Sequence, residues 1–252
     1  MAASITGLTE LSILSYPDGF IFYETCNDRS QTFKLLIEAP IDFPENFENF
    51  VTARKWTSEN KINVCITEHS DRFLLLPYVI GDQNQKREFF DFLHTPVKGN
   101  IMRTDNLGDG IQQFCYEVSE ERLSCYRRMF TKFKLHSDAF SMLEWSLNKS
   151  TELQKPIVLT NVYKKSMQLF AVDKTGILFA NSYMIQTVSE VTYFLLRCLE
   201  QTGLDPFEIQ CNVCSDSDNR NKIIESLQPY IKNLIGLMMS PQSKSIVSPA
   251  KS

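Results

Sequence analysis

The chain has 252 residues, 43% hydrophobic and 22% charged, enough for a substantial core in one large domain or two smaller ones. A formal net charge of −4, from 26 Lys+Arg and 30 Asp+Glu, gives no electrostatic reason to expect nucleic acid as the main partner, although a local basic patch is compatible with it. No apolar run is long enough to span a bilayer, and the opening Met1-Ala-Ala-Ser-Ile-Thr-Gly lacks a signal peptide's basic and apolar regions, so the sequence predicts a cytoplasmic protein without membrane insertion.

Three strands are predicted first: Glu10–Tyr16, Phe20–Thr25 after the turn Pro17-Asp18-Gly19, and Thr32–Glu38 after Asn27-Asp28-Arg29-Ser30. Pro44-Glu45 opens a helix to about Lys55, with Phe47, Phe50 and Val51 on one face, and Ile62–Thr67 is the next strand. Phe73–Val79 reads as a strand, Gln85–Leu93 as a helix, and Asn100–Leu107 and Gln112–Val118 as strands around Gly108-Asp109-Gly110. Ser119 starts a helix whose face carries Leu123, Tyr126, Arg127 and Phe130. A short strand Phe133–His136 follows, then a helix N-capped by Asp138 and bearing Phe140, Leu143, Trp145 and Leu147.

Beyond a boundary at Thr151–Pro156 the opening order recurs. Ile157–Val162, Met167–Val172 and Ile177–Tyr183 form a second meander, with turns at Lys164-Lys165 and Asp173-Lys174-Thr175-Gly176. A helix from about Ser189 to Thr202 is ended by Gly203, Phe207–Val213 is a strand, and Asn219–Leu234 is a closing helix kinked or broken at Pro229. The tail from about Ser240 has too few apolar groups to offset the entropy of ordering it and is expected to be mobile. The prediction is an α/β chain with mixed sheets and helices on their faces, divided into an N-terminal lobe over 1–152, a C-terminal lobe over 153–239 and a tail over 240–252.

The duplicated order of meander, helix, strand and helix resembles the ribonuclease H-like, actin-like ATPase fold of actin, sugar kinases, heat-shock chaperone ATPase domains and the bacterial proteins PilM and FtsA. The stretch from Phe114-Cys-Tyr-Glu-Val-Ser-Glu-Glu to Phe133-Lys-Leu-His-Ser-Asp-Ala-Phe-Ser-Met-Leu is similar to the PilM-like branch. Asn181-Ser-Tyr, Tyr193-Phe-Leu-Leu, Gly203-Leu-Asp-Pro206 and Leu227-Gln-Pro-Tyr-Ile resemble an uncharacterised bacterial family known only as a domain of unknown function with an actin-like fold. The resemblance implies a fold and supplies no activity. It also implies where nucleotide sits in active members: between two halves, with glycine-bearing hairpins near the phosphates and a Gly-Gly turn near the adenosine. Glycine lets backbone N–H groups approach phosphate oxygens, and carboxylates hold the Mg²⁺ shell.

Here those positions depart from the pattern. The first hairpin reads Ser12-Ile-Leu-Ser-Tyr-Pro-Asp18-Gly19-Phe20, where Asp-x-Gly-Ser/Thr would be expected; Asp18-Gly19 also makes an ordinary turn. The second reads Asn161-Val-Tyr-Lys164-Lys165-Ser166, an amide for the carboxylate and no glycine, and its lysines meet either an anion or solvent. The third reads Cys214-Ser215-Asp216-Ser217-Asp218 in place of Gly-Gly, with Ser217 or Asp218 capping the next helix and the aspartates disfavouring phosphate.

Other motifs have plainer readings. Cys211-Asn-Val-Cys214 is a Cys-x-x-Cys, but strand residues three apart point to opposite faces, and an odd total of seven cysteines fits free thiols in a reducing compartment. Asp105-Asn-Leu-Gly-Asp109-Gly110 starts like a calcium loop, with Leu107 and Tyr116 where ligands belong. His69, His94 and His136 lack metal spacing, and Glu120-Glu121 suits the first turn of a helix rather than paired acid–base work.

The sequence therefore predicts a non-catalytic pseudoenzyme, a cytoplasmic scaffold or adaptor for an unidentified protein partner, with no cofactor, no metal, no catalytic residue and no nucleic acid. The alternative is a nucleotide-binding switch or ATPase, taking ATP and Mg²⁺ with Ser12, Asp18, Asn161, Lys164 and Ser215 lining its cleft. Thiol redox through Cys211 and Cys214 is a third, remote reading.

Overall fold

The structure, a computed structural model, describes residues 9–26, 29–37, 42–56, 62–108, 110–215 and 217–237. The predicted tail from 240, Glu38 of the third predicted strand, Asp109 of the calcium-like loop and Asp216 lie outside them, as do the side chains of Ser217 and Asp218. The chain forms two compact units, one from residues 1–70, 81–105 and 115–138, the other from 71–80, 106–114 and 139–252.

In the first unit, β1 (Thr9–Tyr16), β2 (Gly19–Cys26) and β3 (Arg29–Leu36) form the expected meander. Helix α1 (Phe43–Ala53) follows, then β4 (Ile62–Glu68), giving with β8 (Lys134–Ser137) a five-stranded sheet in the order β3-β2-β1-β4-β8. β1 and β2 are antiparallel, whereas β1–β4 and β4–β8 are parallel. The period-two alternation turns Leu11, Ile13 and Phe22 to one buried face. Phe43 and Phe47 of α1 and Tyr126 and Phe130 of helix α3 (Glu120–Met129) and its C-cap pack there as an aromatic core. Ser119 caps α3 as predicted, its hydroxyl accepting the Arg122 N–H at 3.4 Å.

Between these elements in sequence come β5 (Phe73–Pro77), α2 (Gln83–Leu93), β6 (Asn100–Asn106) and β7 (Gln112–Ser119). Asp82 N-caps α2, which begins two residues ahead of the predicted start at Gln85, and its Oδ1 accepts the Asn84 and Gln85 N–H groups.

The second unit repeats the sheet. After α4 (Asp138–Leu153), strands β9 (Ile157–Tyr163), β10 (Ser166–Asp173), β11 (Gly176–Met184), β12 (Gln210–Cys214) and β13 (Leu234–Leu237) take the order β11-β10-β9-β12-β13. Helices α5 (Val188–Thr202) and α6 (Ser217–Leu227) bury Val191, Leu195, Cys198, Ile223 and Leu227 against Val158, Leu169 and Val213. α5 has a Thr187/Glu190 capping box and a left-handed Gly203 cap.

Two predicted elements change. Phe207–Ile209 is not strand: the Asp205 carboxylate takes the Phe207 N–H at 2.8 Å, the Asp205 carbonyl takes those of Glu208 and Ile209, and β12 begins at Gln210. The closing helix stops at Leu227, two residues before Pro229, and Leu234, predicted as its last residue, opens β13.

Candidate functional site

In the first unit three parallel strands end side by side, the part of an open α/β sheet where ligand sites are built. The register sets Ser15 beside Glu68, and Glu68 beside Ser137. Ser15 follows Leu11 and Ile13 on the face that carries α1 and α3, so it is the first polar side chain past a buried apolar row. α3 supplies Arg122 and Tyr126, one turn apart on one side of the helix.

These four side chains form one network. The Tyr126 phenol oxygen lies 2.5 Å from Glu68 Oε1 and 2.9 Å from Ser15 Oγ. A phenol has one proton and a carboxylate only accepts, so Tyr126 donates to Glu68. Arg122 Nη1 donates to Ser15 Oγ at 2.9 Å and reaches Glu68 Oε2 at 3.3 Å. Arg122 Nη2 donates to the carbonyls of Tyr16 at 3.0 Å and Pro17 at 3.3 Å, with the guanidinium 4.4 Å from the Phe43 ring centre. Burial, reinforced by the Glu68 charge, pushes the Tyr126 phenol well above the usual tyrosine range and keeps it neutral.

A second pair stands at the next positions. Asp138, expected as an N-cap, turns its carboxylate to the segment after β4: Oδ2 is 2.6 Å from His69 Nδ1, and Oδ1 accepts the Ser70 N–H at 2.9 Å. The His69 N–H donates to the Ser15 carbonyl at 2.8 Å, binding this pair to the end of β1.

The Glu68 side chain is 5% exposed and compensated by a guanidinium and a phenol, so its charge is already matched inside the fold. The hairpin after β1 offers two carbonyl oxygens to a cation, the reverse polarity of the N–H cradle that holds phosphate. Gly19 has its own structural reason. Its φ is +149°, and a Cβ there would lie 2.1 Å from the Leu35 carbonyl oxygen, so glycine is what lets β3 pass close to the hairpin. The polar groups that the first hairpin turns toward α3 are thus the Tyr16 and Pro17 carbonyls, both taken by Arg122.

In the second unit the equivalent strand ends are Asn161, Cys214 and Leu237, in register. Asn161 is buried and donates from Nδ2 to Gln168 Oε1 at 2.8 Å. Ser215 directly follows Cys214, and among the described residues its enclosed hydroxyl has no hydrogen-bond partner, nor has that of Thr160. Lys164 is exposed at the β9–β10 tip with φ +50°, a left-handed position held by a residue other than glycine. The fold thus brings Asn161 and Ser215 to neighbouring strand ends with Lys164 on the adjoining hairpin.

Ser12 and Asp18 belong to the first unit. Ser12 is half-buried within β1, on the face opposite Ser15, and Asp18 is half-buried in the hairpin, its carbonyl accepting the Ile37 N–H at 2.9 Å. Sequence reasoning missed Ser15, Glu68 and Arg122 and took Tyr126 for core alone. The available signals were a polar residue ending the apolar alternation of β1, an acid ending β4, and an Arg–Tyr pair four apart on α3.

Cys211 and Cys214 are both buried, and burial pushes the Cys211 thiol up to about 12, away from a reactive thiolate. Among the described residues, no group of three or more His, Cys, Asp or Glu is placed to hold a metal, and no helix is long and apolar enough to cross a membrane.

The sequence model of the family described as Protein of unknown function (DUF3822) matches residues 1–234. Among solved structures, a Bacteroides thetaiotaomicron protein with an actin-like ATPase fold and unknown function is similar with a TM-score of 0.80 at 18% identity, over 97% of this chain and 96% of that one. The PilM–PilN type IV pilus biogenesis complex is similar with a TM-score of 0.52 at 8% identity, over 95% of this chain and 90% of that one. The architecture is therefore the actin-like ATPase fold, as its resemblance implied. No curated protein matches the chain.

Proposed function

This chain belongs to the family described as Protein of unknown function (DUF3822), and from that premise we propose that it is a non-catalytic cytoplasmic scaffold or adaptor acting through protein–protein contacts. The observation that carries the reading is the grip of Arg122 on the Tyr16 and Pro17 carbonyls and on Glu68. A guanidinium stands against the hairpin where an enzyme would present backbone N–H groups, and the nearby carboxylate has its charge matched. Lys164 at the tip of the second hairpin, in place of glycine, supports the same reading. A neighbour of this fold, PilM, is known in complex with another protein, PilN, which is the kind of role proposed here.

Calorimetric titration with ATP and Mg²⁺ tests it. The expected result is no saturable heat below millimolar nucleotide and no phosphate release. Micromolar binding followed by turnover would overturn the reading in favour of a nucleotide switch, with Ser12, Asp18, Asn161, Lys164 and Ser215 as the residues to substitute first.

A further inference from the structure

We propose that the free edge of β3 is a docking strand for an extended acidic segment of a partner protein, which adds to the first unit's sheet by β-augmentation. The inference rests on the adaptor reading and names its surface. β3 is the terminal strand in the order β3-β2-β1-β4-β8, and among the described residues no strand pairs with its outer side.

Which backbone groups face outward follows from one hydrogen bond. The Ile37 N–H donates to the Asp18 carbonyl, so the two-residue alternation of an antiparallel pair directs Leu35, Phe33, Gln31 and Arg29 at β2. Leu36, Lys34, Thr32 and Ser30 then turn their N–H and C=O groups away from the sheet. Four such residues make a template about as long as a typical docked strand.

Charge selects the occupant. The chain is formally −4, yet this edge carries Arg29, Lys34 and Arg54, all exposed and none paired with a carboxylate among the described residues. Arg54 lies over the β3 residue Phe33, its guanidinium carbon 3.5 Å from the ring centre and within 5.7 Å of the Phe50 and Trp56 rings. Trp56 is in turn held by its indole N–H to Glu24 at 2.9 Å, which engages the nearest carboxylate of β2. Side chains of an added strand would meet Arg29 and Arg54 on the α1 side of the sheet and Lys34 on the other. Leu36, 76% exposed at the end of the strand, adds one apolar contact.

Cations on an edge commonly keep other strands away. A guard of a single sign repels basic strands and leaves the backbone of a neutral one uncompensated, but it attracts a strand that carries alternating acids.

The probes are two synthetic peptides of the length of β3, one alternating Glu with Val and one alternating Lys with Val, followed by fluorescence anisotropy on the full chain. The acidic peptide is expected to bind at least about tenfold more tightly than the basic one, and to weaken as salt rises. Thr32→Pro removes an outward N–H without touching the β2 ladder, so it should cut affinity by about tenfold or more with the melting temperature kept. Lys34→Glu with Arg54→Glu should reverse the preference between peptides.

Equal affinity for both peptides, or unchanged binding by Thr32→Pro, overturns the proposal. So does a dimer in sedimentation that Thr32→Pro dissociates, because the edge would then belong to a second copy. None of these outcomes bears on the adaptor reading, which falls only if ATP binds and is turned over.

Discussion

The ends of β1 and β9 occupy the same place in two sheets of the same order, and their chemistry differs. In the first unit Ser15, Glu68, Arg122 and Tyr126 form a charged network that draws on two strands and a helix. In the second, Asn161 meets Gln168 on the next strand, while Cys214 and Leu237 fill the neighbouring positions. The repeated backbone follows from hydrophobic alternation, which both halves keep. Strand-end side chains are outside that pattern, so they diverge without altering the sheet, and a charge at one end demands compensation that an amide pair at the other does not.

Breaking the two networks separately should expose that difference most strongly. Trp56 lies in the first unit and Trp145 in the second, so the chain carries one fluorescent reporter in each. Arg122→Met leaves Glu68 buried without its cation and should cost about 3–5 kcal/mol in urea unfolding followed at Trp56. Asn161→Leu removes the buried donor to Gln168 Oε1 and should cost about 1–3 kcal/mol, read in variants that keep Trp145 alone. Equal losses would mean that Glu68 is not held as a charge.

The two meander glycines sharpen the comparison at a smaller scale. Gly19 and Gly176 both have positive φ, at +149° and +132°, so alanine is strained at either. Around Gly176 a Cβ meets nothing within 4 Å, whereas at Gly19 it would lie 2.1 Å from the Leu35 carbonyl oxygen. Gly19→Ala should exceed Gly176→Ala by about 1–3 kcal/mol, the cost of overpacking added to a similar backbone strain.

The smallest effect is one of pH. Tyr126 has a phenol pKa raised in the folded chain by burial and by Glu68, so its contribution to stability is fully present below the unfolded value near 10. Above that pH the unfolded chain releases a proton that the folded chain retains, and stability is lost as pH rises toward the folded value. Melting temperatures between about pH 8 and 11 should fall more steeply in the native chain than in Tyr126→Phe.

Much of the fold was legible because it rests on local signals. Both meanders, the Ser119 cap and the Gly203 stop are written in contiguous residues. The end of the chain was harder: Leu234-Ile-Gly-Leu is a short apolar run that helix and strand periodicity describe equally well, and only Pro229 separates it from the helix. Asp205 similarly converts Phe207–Ile209 from apparent strand to turn through side-chain and backbone bonds that the apolar pattern does not encode. The network at the end of β1 was least legible. Its members come from positions 15, 68, 122 and 126, each of which reads locally as an ordinary strand or helix residue.

Arg122 grips the Tyr16 carbonyl across 106 positions of sequence. The β1–β2 turn is therefore tethered to α3, and any fraying that frees one must release the other. Amide protons of the two segments should exchange as a single cooperative group, although more than a hundred residues of chain separate them.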